Sequence, residues 1–371
     1  MPGNRRNDTE PMPARPARRL WPGRRDALRV MFVALPVALV ALLAGRLLAA
    51  WRTPRADVAV STATLALLVV WGWALARRDA RRGRHAFGGA PSPRRSALGR
   101  LRRDRLAMTG AALVAALCLG ALLAPLLAPY DPSEFGDISA TGYRAPSAAH
   151  WLGTDQYGRD VLSRLLFGAR ISLSIGFVAV AFAVGIGTLV GLAAGYLGGR
   201  ADNVLMRLVD LGLAFPRLFL VLLVVGLVGP SIWLVIAVLG ATGWMGTARL
   251  VRAQVLGIRG ADYVRAAVAL GYSTPRIVWR HVLPNAMAPV VVSATLLVGQ
   301  TILTEAVLSF LGLGVQMPTP SWGVMIDEGR RVFPGVWWLS AFPGLAITLT
   351  VVGYNLLGDG LRDALDPRLR T

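Results

Sequence analysis

The side chains equipped for chemistry are few, and they fall into three groups. His150, Asp155, Asp160 and Ser163 lie close together between two apolar runs. A base, two acids and a hydroxyl at such spacing could do acid–base or hydrolytic work. No nucleophile motif surrounds Ser163, however. Gly153-Thr154-Asp155 and Gly158-Arg159-Asp160 read instead as turns and caps, with the aspartates accepting backbone N–H groups and pairing with Arg159 or Arg164. The second group, Asp210, Arg217 and Glu305, sits inside apolar runs, where an ionisable residue is costly and must face protein or water. Asp210 and Arg217 are seven residues apart, two turns of a continuous helix, so they are expected on one face. They either line a path through the protein or pair with neighbouring helices. Glu305 is a third candidate for that path, although a structural hydrogen bond is the favoured reading. The third group is the polar, arginine-bearing stretch 261–285, ADYVRAAVALGYSTPRIVWRHVLPN.

The elements that must hold these residues are membrane helices. The chain has 371 residues, 54% hydrophobic and 16% charged, and several apolar runs exceed 18 residues. Helices satisfy their own backbone groups in lipid, and the runs lack the alternation of a membrane barrel. The fold class is therefore an all-α polytopic membrane protein. Spans are expected at about 30–50, 57–76, 106–129, 171–197, 205–228, 231–251, 283–311 and 336–357. The first could pass for a signal peptide, but its leader is long and the run is of membrane length, so it is expected to be retained.

The formal net charge is +20 and the chain has no lysine. Nucleic-acid binding is not the reading of this charge, because the arginines cluster beside spans. Segment 1–29 holds eight arginines against three acids, and 77–105 holds eleven against two. The positive-inside rule places both in the cytoplasm, where they attract anionic membrane lipid. Segment 1–29 reads as a basic disordered tail, 30–76 as two spans, and 77–105 as a basic linker with a short amphipathic helix near 96–105. The 51–56 loop, the loop 130–170 and the loop 312–335 then lie outside. Loops 198–204 and 252–282 and the tail from 358 lie inside, so both termini are cytoplasmic. Cys118 has no disulfide partner and reads as packing, and the three histidines His85, His150 and His281 are too scattered for a metal site. No cofactor and no metal is expected.

Within 252–282, Tyr263 to Leu270 favours helix, Gly271 suits a helix C-terminus, and Asp262 or Ser273 could cap short helices. Pro275 suits a first turn and Pro284 kinks or starts the next span. The result is helix, glycine turn, helix: a bracket lying across the membrane surface. Ala266 and Ala267 let a partner's groove approach the backbone, with Arg265 as a polar anchor. Helix signals alone favour an ordinary helical loop. A cytoplasmic insert of this kind nevertheless gives a soluble partner a place to push.

The bracket resembles the EAA loop of ATP-binding-cassette importer permeases. That pattern is Glu-Ala-Ala, three residues, Gly, nine residues, an apolar residue, one residue, Leu-Pro. The register holds at Ala266, Ala267, Gly271, Leu283 and Pro284, and departs at Arg265 and His281. The variant RAA…G…RHVLPN resembles the dipeptide/oligopeptide/nickel branch. HWLGTDQYGRDVLSRLLFGARISL at 150–173, TEAVLSFLGLGVQMPTPSWG at 304–323 and the C-terminal GDGLRDALDPRLR are similar to the same branch, in particular to its second, C-type permease. The resemblance covers about 106–371. It implies a six-helix type I importer transmembrane domain, here preceded by two extra N-terminal spans. It also implies a coupling loop that uses Asp262, Tyr263, Arg265, Ala266, Ala267, Gly271, Arg280, His281, Leu283, Pro284 and Asn285. The implied partners are a second homologous permease subunit, two ATP-binding-cassette ATPase subunits and an extracytoplasmic substrate-binding protein, assembled in a bacterial cytoplasmic membrane. Without lysine there is no Walker A loop, so hydrolysis belongs to the partner chains and this chain is not an enzyme. Di- or oligopeptides are the expected cargo, with nickel or another small solute as alternative. A stand-alone secondary transporter is the alternative of a different class, and would need coupled intramembrane carboxylates, for which Asp210 and Glu305 are the candidates.

Overall fold

The structure is a computed structural model that describes residues 99–365. The expected tail 1–29, the spans at 30–50 and 57–76, and the linker up to residue 98 lie outside the described residues. Those described are helical apart from loops and one isolated bridge between Thr154 and Asp160. Five helices are long and apolar enough to cross a membrane, six if one bent pair counts as a single span.

The helices are α1 (Arg105–Leu122), α2 (Ala124–Leu127), α3 (Ile138–Thr141), α4 (Val161–Leu197), α5 (Gly199–Ala214), α6 (Arg217–Val228), α7 (Ile232–Arg259), α8 (Asp262–Ala269), α9 (Thr274–Ile277), α10 (Leu283–Phe310), α11 (Trp322–Arg330) and α12 (Trp338–Leu365). A π turn, Val278–Val282, joins α9 to α10. Residues 99–103 are helical and stop at Asp104, whose carboxylate accepts from the N–H groups of Leu106 and Ala107 and so starts α1.

Three boundaries differ from the expected spans for a local reason, and the span expected at 336–357 runs on to Leu365. The span expected at 171–197 begins at Val161, because Asp160 accepts from the Ser163 N–H and caps the helix there. The span expected at 205–228 is broken into α5 and α6, which meet at 79°. Pro216 has no N–H and forces Phe215 to extended geometry (φ −94°, ψ 132°). Asp210 and Arg217 therefore do not share a face of one helix. The span expected at 231–251 runs on to Arg259, which moves the start of the inner loop to Gly260.

The most extensive helix contact joins α4 to α7 through glycines at four-residue spacing. A β-carbon on Gly187 would lie 2.6 Å from the Trp244 carbonyl oxygen, on Gly191 2.5 Å from that of Ala248, and on Gly195 2.8 Å from Val255 Cβ. Small residues at this spacing let backbones approach where lipid gives no hydrophobic drive for association. Gly185, two residues earlier, lies outside the contact, since a β-carbon there meets nothing within 4 Å. Ala121, Leu173, Ile302 and Ile347 join α1, α4, α10 and α12 in one core, and Ile175, Val221, Val225 and Leu239 join α4, α6 and α7 in another.

At the end of the bundle where α4 begins, two loops are locked by charge. Asp155 receives Arg159 Nε at 2.7 Å and also Arg164, and Glu328 of α11 receives both arginines. Arg159 and Arg164 are each 1% exposed. Trp338 Nε1 donates to the Thr154 carbonyl at 3.2 Å and Trp322 Nε1 to that of Leu165 at 3.1 Å. His150 Nδ1 sits 3.0 Å from Asp160, and Ser163 Oγ donates to Asp160. Every residue of the possible hydrolytic group thus has a structural partner.

Two outcomes test this packing. Gly191→Leu should destabilise the detergent-solubilised chain by about 1–3 kcal/mol through overpacking, while Gly185→Leu leaves its unfolding midpoint unchanged. Asp155→Asn leaves two buried guanidinium groups undercompensated and should cost about 3–5 kcal/mol in the same thermal unfolding assay.

Candidate coupling site

The stretch 260–285 builds a bracket from two short helices. Gly271 turns between them at φ +72°, a conformation that other residues adopt only with strain, and a β-carbon there would meet no neighbour. Glycine is required here for its backbone, not for space. The Gly271 N–H donates to the Val268 carbonyl at 2.9 Å and the Tyr272 N–H to that of Ala267 at 3.1 Å. This pair of bonds is the Schellman closure of a helix end. The expected caps are not made. Asp262 is already inside the first turn of α8, where its charge suits the helix dipole. Ser273 holds the cap position of α9 without a side-chain bond, because Pro275, one of the residues it would bond, has no N–H.

One face of the bracket is seated on the bundle. Val264 and Ala267 of α8 and Ile277 of α9 are buried with Leu192 of α4, Val251 and Val255 of α7, and Val282, Leu283 and Ala286 at the entry of α10. Burying Val264 and Ile277 contributes about 1.5–3 kcal/mol each, enough to keep the bracket in place under load. Asn285 adds polar ties, donating to Tyr263 Oη at 3.2 Å and to the His281 carbonyl at 2.7 Å. The rings of Tyr272 and His281 stack at 6.2 Å, and the Arg276 guanidinium lies 4.7 Å over Tyr272. His281 thus fills its apolar slot as an aromatic ring. The run from Thr274 to Phe310 is helical throughout. The π turn lies just before Pro284, which sits in the first turn of α10, and its wider spacing gives the proline ring room.

The opposite face is free among the described residues. Arg265, Ala266, Val268, Leu270, Tyr272 and Arg276 are exposed, Leu270 at 71%. Of the two alanines read as the approach surface, only Ala266 faces outward; Ala267 is 4% exposed and belongs to the chain's own core. Sequence reasoning missed Val268, Leu270 and Tyr272. Their signal was present: apolar residues in an otherwise polar insert, on the side of α8 and its turn away from Val264 and Ala267.

The residues read as path candidates separate. Glu305 is 0% exposed, accepts from Ser309 Oγ at 2.7 Å and Ser172 Oγ at 3.2 Å, and so ties α10 to α4 without lining a path. Asp210 pairs with Arg249 of α7 at 2.6 Å. Arg217 lies on the other side of the bend. Its Nη2 donates to the Leu239 carbonyl at 2.9 Å and its Nε to Thr242 Oγ1 at 3.2 Å.

The chain is thus a multi-pass helical membrane protein with a surface bracket seated on its bundle. Residues 187–371 match the family described as the binding-protein-dependent transport system inner membrane component, and residues 92–146 match the N-terminal TM domain of oligopeptide transport permease C. The dipeptide transport system permease protein DppC of Alkalihalophilus pseudofirmus is 41% identical over 282 residues, 76% of this chain and 92% of that protein. The oligopeptide transport system permease protein OppC of Bacillus subtilis is 41% identical over 276 residues, 74% and 90% of the two chains. The glutathione transport system permease protein GsiD of Pectobacterium atrosepticum is 41% identical over 272 residues, 73% and 90%. The chain belongs to the permease subunits of ATP-binding-cassette importers, in the C-type group of the dipeptide/oligopeptide branch.

The turn geometry has a measurable consequence. Gly271→Ala strains the Schellman closure by about 1–2 kcal/mol. Amide exchange of Tyr272, read by mass spectrometry, should accelerate about 5- to 30-fold if opening of this turn limits it.

Proposed function

We propose that this chain is the second transmembrane subunit of an ATP-driven importer of di- or oligopeptides. It works beside a homologous permease, two ATP-binding-cassette ATPases and an extracytoplasmic binding protein in a bacterial cytoplasmic membrane. Residues 106–371 form the six-helix core, preceded by the basic tail 1–29, two extra spans in 30–76 and the linker 77–105. Both termini and the bracket face the cytoplasm. Arg252, Arg259, Arg265, Arg276 and Arg280 against Asp262 support that side for the bracket. The peptide cargo is supported by the dipeptide and oligopeptide permeases among the relatives.

The observation that carries the reading is the two-faced bracket. Val264, Ala267 and Ile277 hold it to α4, α7 and α10, while Ala266, Val268, Leu270 and Tyr272 offer an apolar knob. A groove on an ATPase that closes over this knob when ATP is bound displaces the bracket. The seat passes the displacement to the α4–α7 pair and to α10, whose tilt opens and closes the path between the two permeases. Arg265 stands where the family pattern has an acid, so any electrostatic contact at this position has its counter-charge on the ATPase.

Leu270→Asp places a charge on the knob without touching the seat. The variant chain should insert and co-purify with the second permease, while ATPase recovery and ATP-dependent uptake of a labelled dipeptide into proteoliposomes fall about tenfold or more. Unchanged recovery and uptake would overturn the coupling role. Uptake of nickel but of no peptide by the wild-type assembly would overturn the cargo.

A further inference from the structure

Beyond its apolar contact with α6 around Leu239, the face of α7 turned toward α5 carries polar residues. Thr242, Met245, Arg249 and Arg252 recur at helical spacing along it. Arg252 is held by Asp202 through two bonds, at 2.5 and 2.6 Å, and Arg249 by Asp210 at 2.6 Å. The third guanidinium of this seam, Arg217, has no acid partner among the described residues. Its two bonds end on neutral oxygens, the Leu239 carbonyl and Thr242 Oγ1, and the Thr242 hydroxyl proton is committed to the Val238 carbonyl at 2.7 Å. Arg217 is half-buried, and its positive charge has no counter-charge among the described residues.

Depth makes this costly. Thr242 lies ten residues into α7 from Ile232, which is about 15 Å at 1.5 Å per residue, near the middle of a hydrocarbon layer of about 30 Å. A cation at that depth pairs with a carboxylate or backbone carbonyls, or meets water, and Arg217 has one carbonyl and no carboxylate among the described residues. Arg217 also begins α6 directly after the 79° break, and no side chain caps that helix end. The break and the guanidinium therefore put uncompensated positive charge at one point of the seam.

We propose that Arg217 is a mid-membrane docking point for an anionic group of the cargo, namely the terminal carboxylate of a peptide. The inference rests on the peptide-importer reading above and adds a specificity-determining residue to it. Transient pairing of the carboxylate with Arg217 neutralises both charges at the depth where each alone is least tolerated. The paired arginines of the rest of the seam offer the carboxylate no second stopping place.

Two measurements on the complete importer test it. Gly246→Cys, in a Cys118→Ser background, places a thiol one turn from Thr242 at a position where a β-carbon meets nothing within 4 Å. An anionic thiosulfonate should label it about tenfold faster than a cationic one of equal size, and Arg217→Gln should remove that preference. Equal labelling by the two reagents, or labelling by neither, overturns the proposal. In uptake, Arg217→Gln should lower transport of a free-acid dipeptide about tenfold, with Arg217→Lys recovering part of it. Stimulation of ATP hydrolysis by loaded binding protein should be unchanged. Uptake within about twofold of wild type overturns the proposal. Loss of the second permease from the purified Arg217→Gln complex also overturns it, by assigning the missing anion to that subunit. If the wild type imports no peptide yet the anionic reagent keeps its advantage, the peptide reading fails and the anion site stands.

Discussion

The close approach of α4 and α7 is the constraint on which the rest of this structure depends. Gly187, Gly191 and Gly195 remove side chains from one side of the contact, so the backbones themselves pack. In lipid no hydrophobic force presses helices together, and van der Waals contact at short range is the main resource. Everything functional is mounted on this pair. The bracket is seated on Leu192 of α4 and on Val251 and Val255 of α7. The buried ion cluster surrounds the start of α4, and the polar seam runs along another face of α7. The bracket and the seam are therefore attached to the same closely packed helix, α7.

Charge is treated differently at the two ends. Where α4 begins, Asp155 and Glu328 hold Arg159 and Arg164 in a closed cluster, and two tryptophan N–H groups tie the loops to the bundle. Such a cluster is stable only as a complete set, because removing one member strands a buried charge. It makes the two loops one rigid lid segment. Toward the bracket, Asp202–Arg252 and Asp210–Arg249 are pairs between separate helices, and the second is more than half exposed in this chain. Pairs of that kind gain little from solvent-screened attraction. The exposed Asp210–Arg249 pair can part at small cost, whereas the two-bond Asp202–Arg252 pair is better shielded.

Much of this was legible in the sequence. Long apolar runs and arginine placement gave the helical class and the core spans, and Gly271 announced its turn. The structure pairs Asp155 with Arg159 and Arg164, as the Gly-X-Asp turns suggested. What stayed hidden depends on contacts distant in sequence. Nothing local shows that Ala267 faces inward while Ala266 faces outward; that follows from where Val251 and Val255 lie. Glu328 could not be joined to Arg164 without the fold. The break at Pro216 was readable in principle, but the apolar stretches on either side of it read as one span, and so Asp210 and Arg217 were assigned one face.

The departures at Arg265 and His281 follow from the same geometry. The seat of the bracket is made by Val264, Ala267 and Ile277, and position 265 projects away from it. Exchanging an acid for arginine there leaves the seat intact and changes only what the exposed face presents. Position 281 must fill space beside Tyr272, and an imidazole ring stacked at 6.2 Å does so as well as an aliphatic side chain. The bracket therefore separates two requirements. Its buried residues and its glycine fix its shape and its seat on the bundle, while its exposed residues carry no packing constraint from this chain.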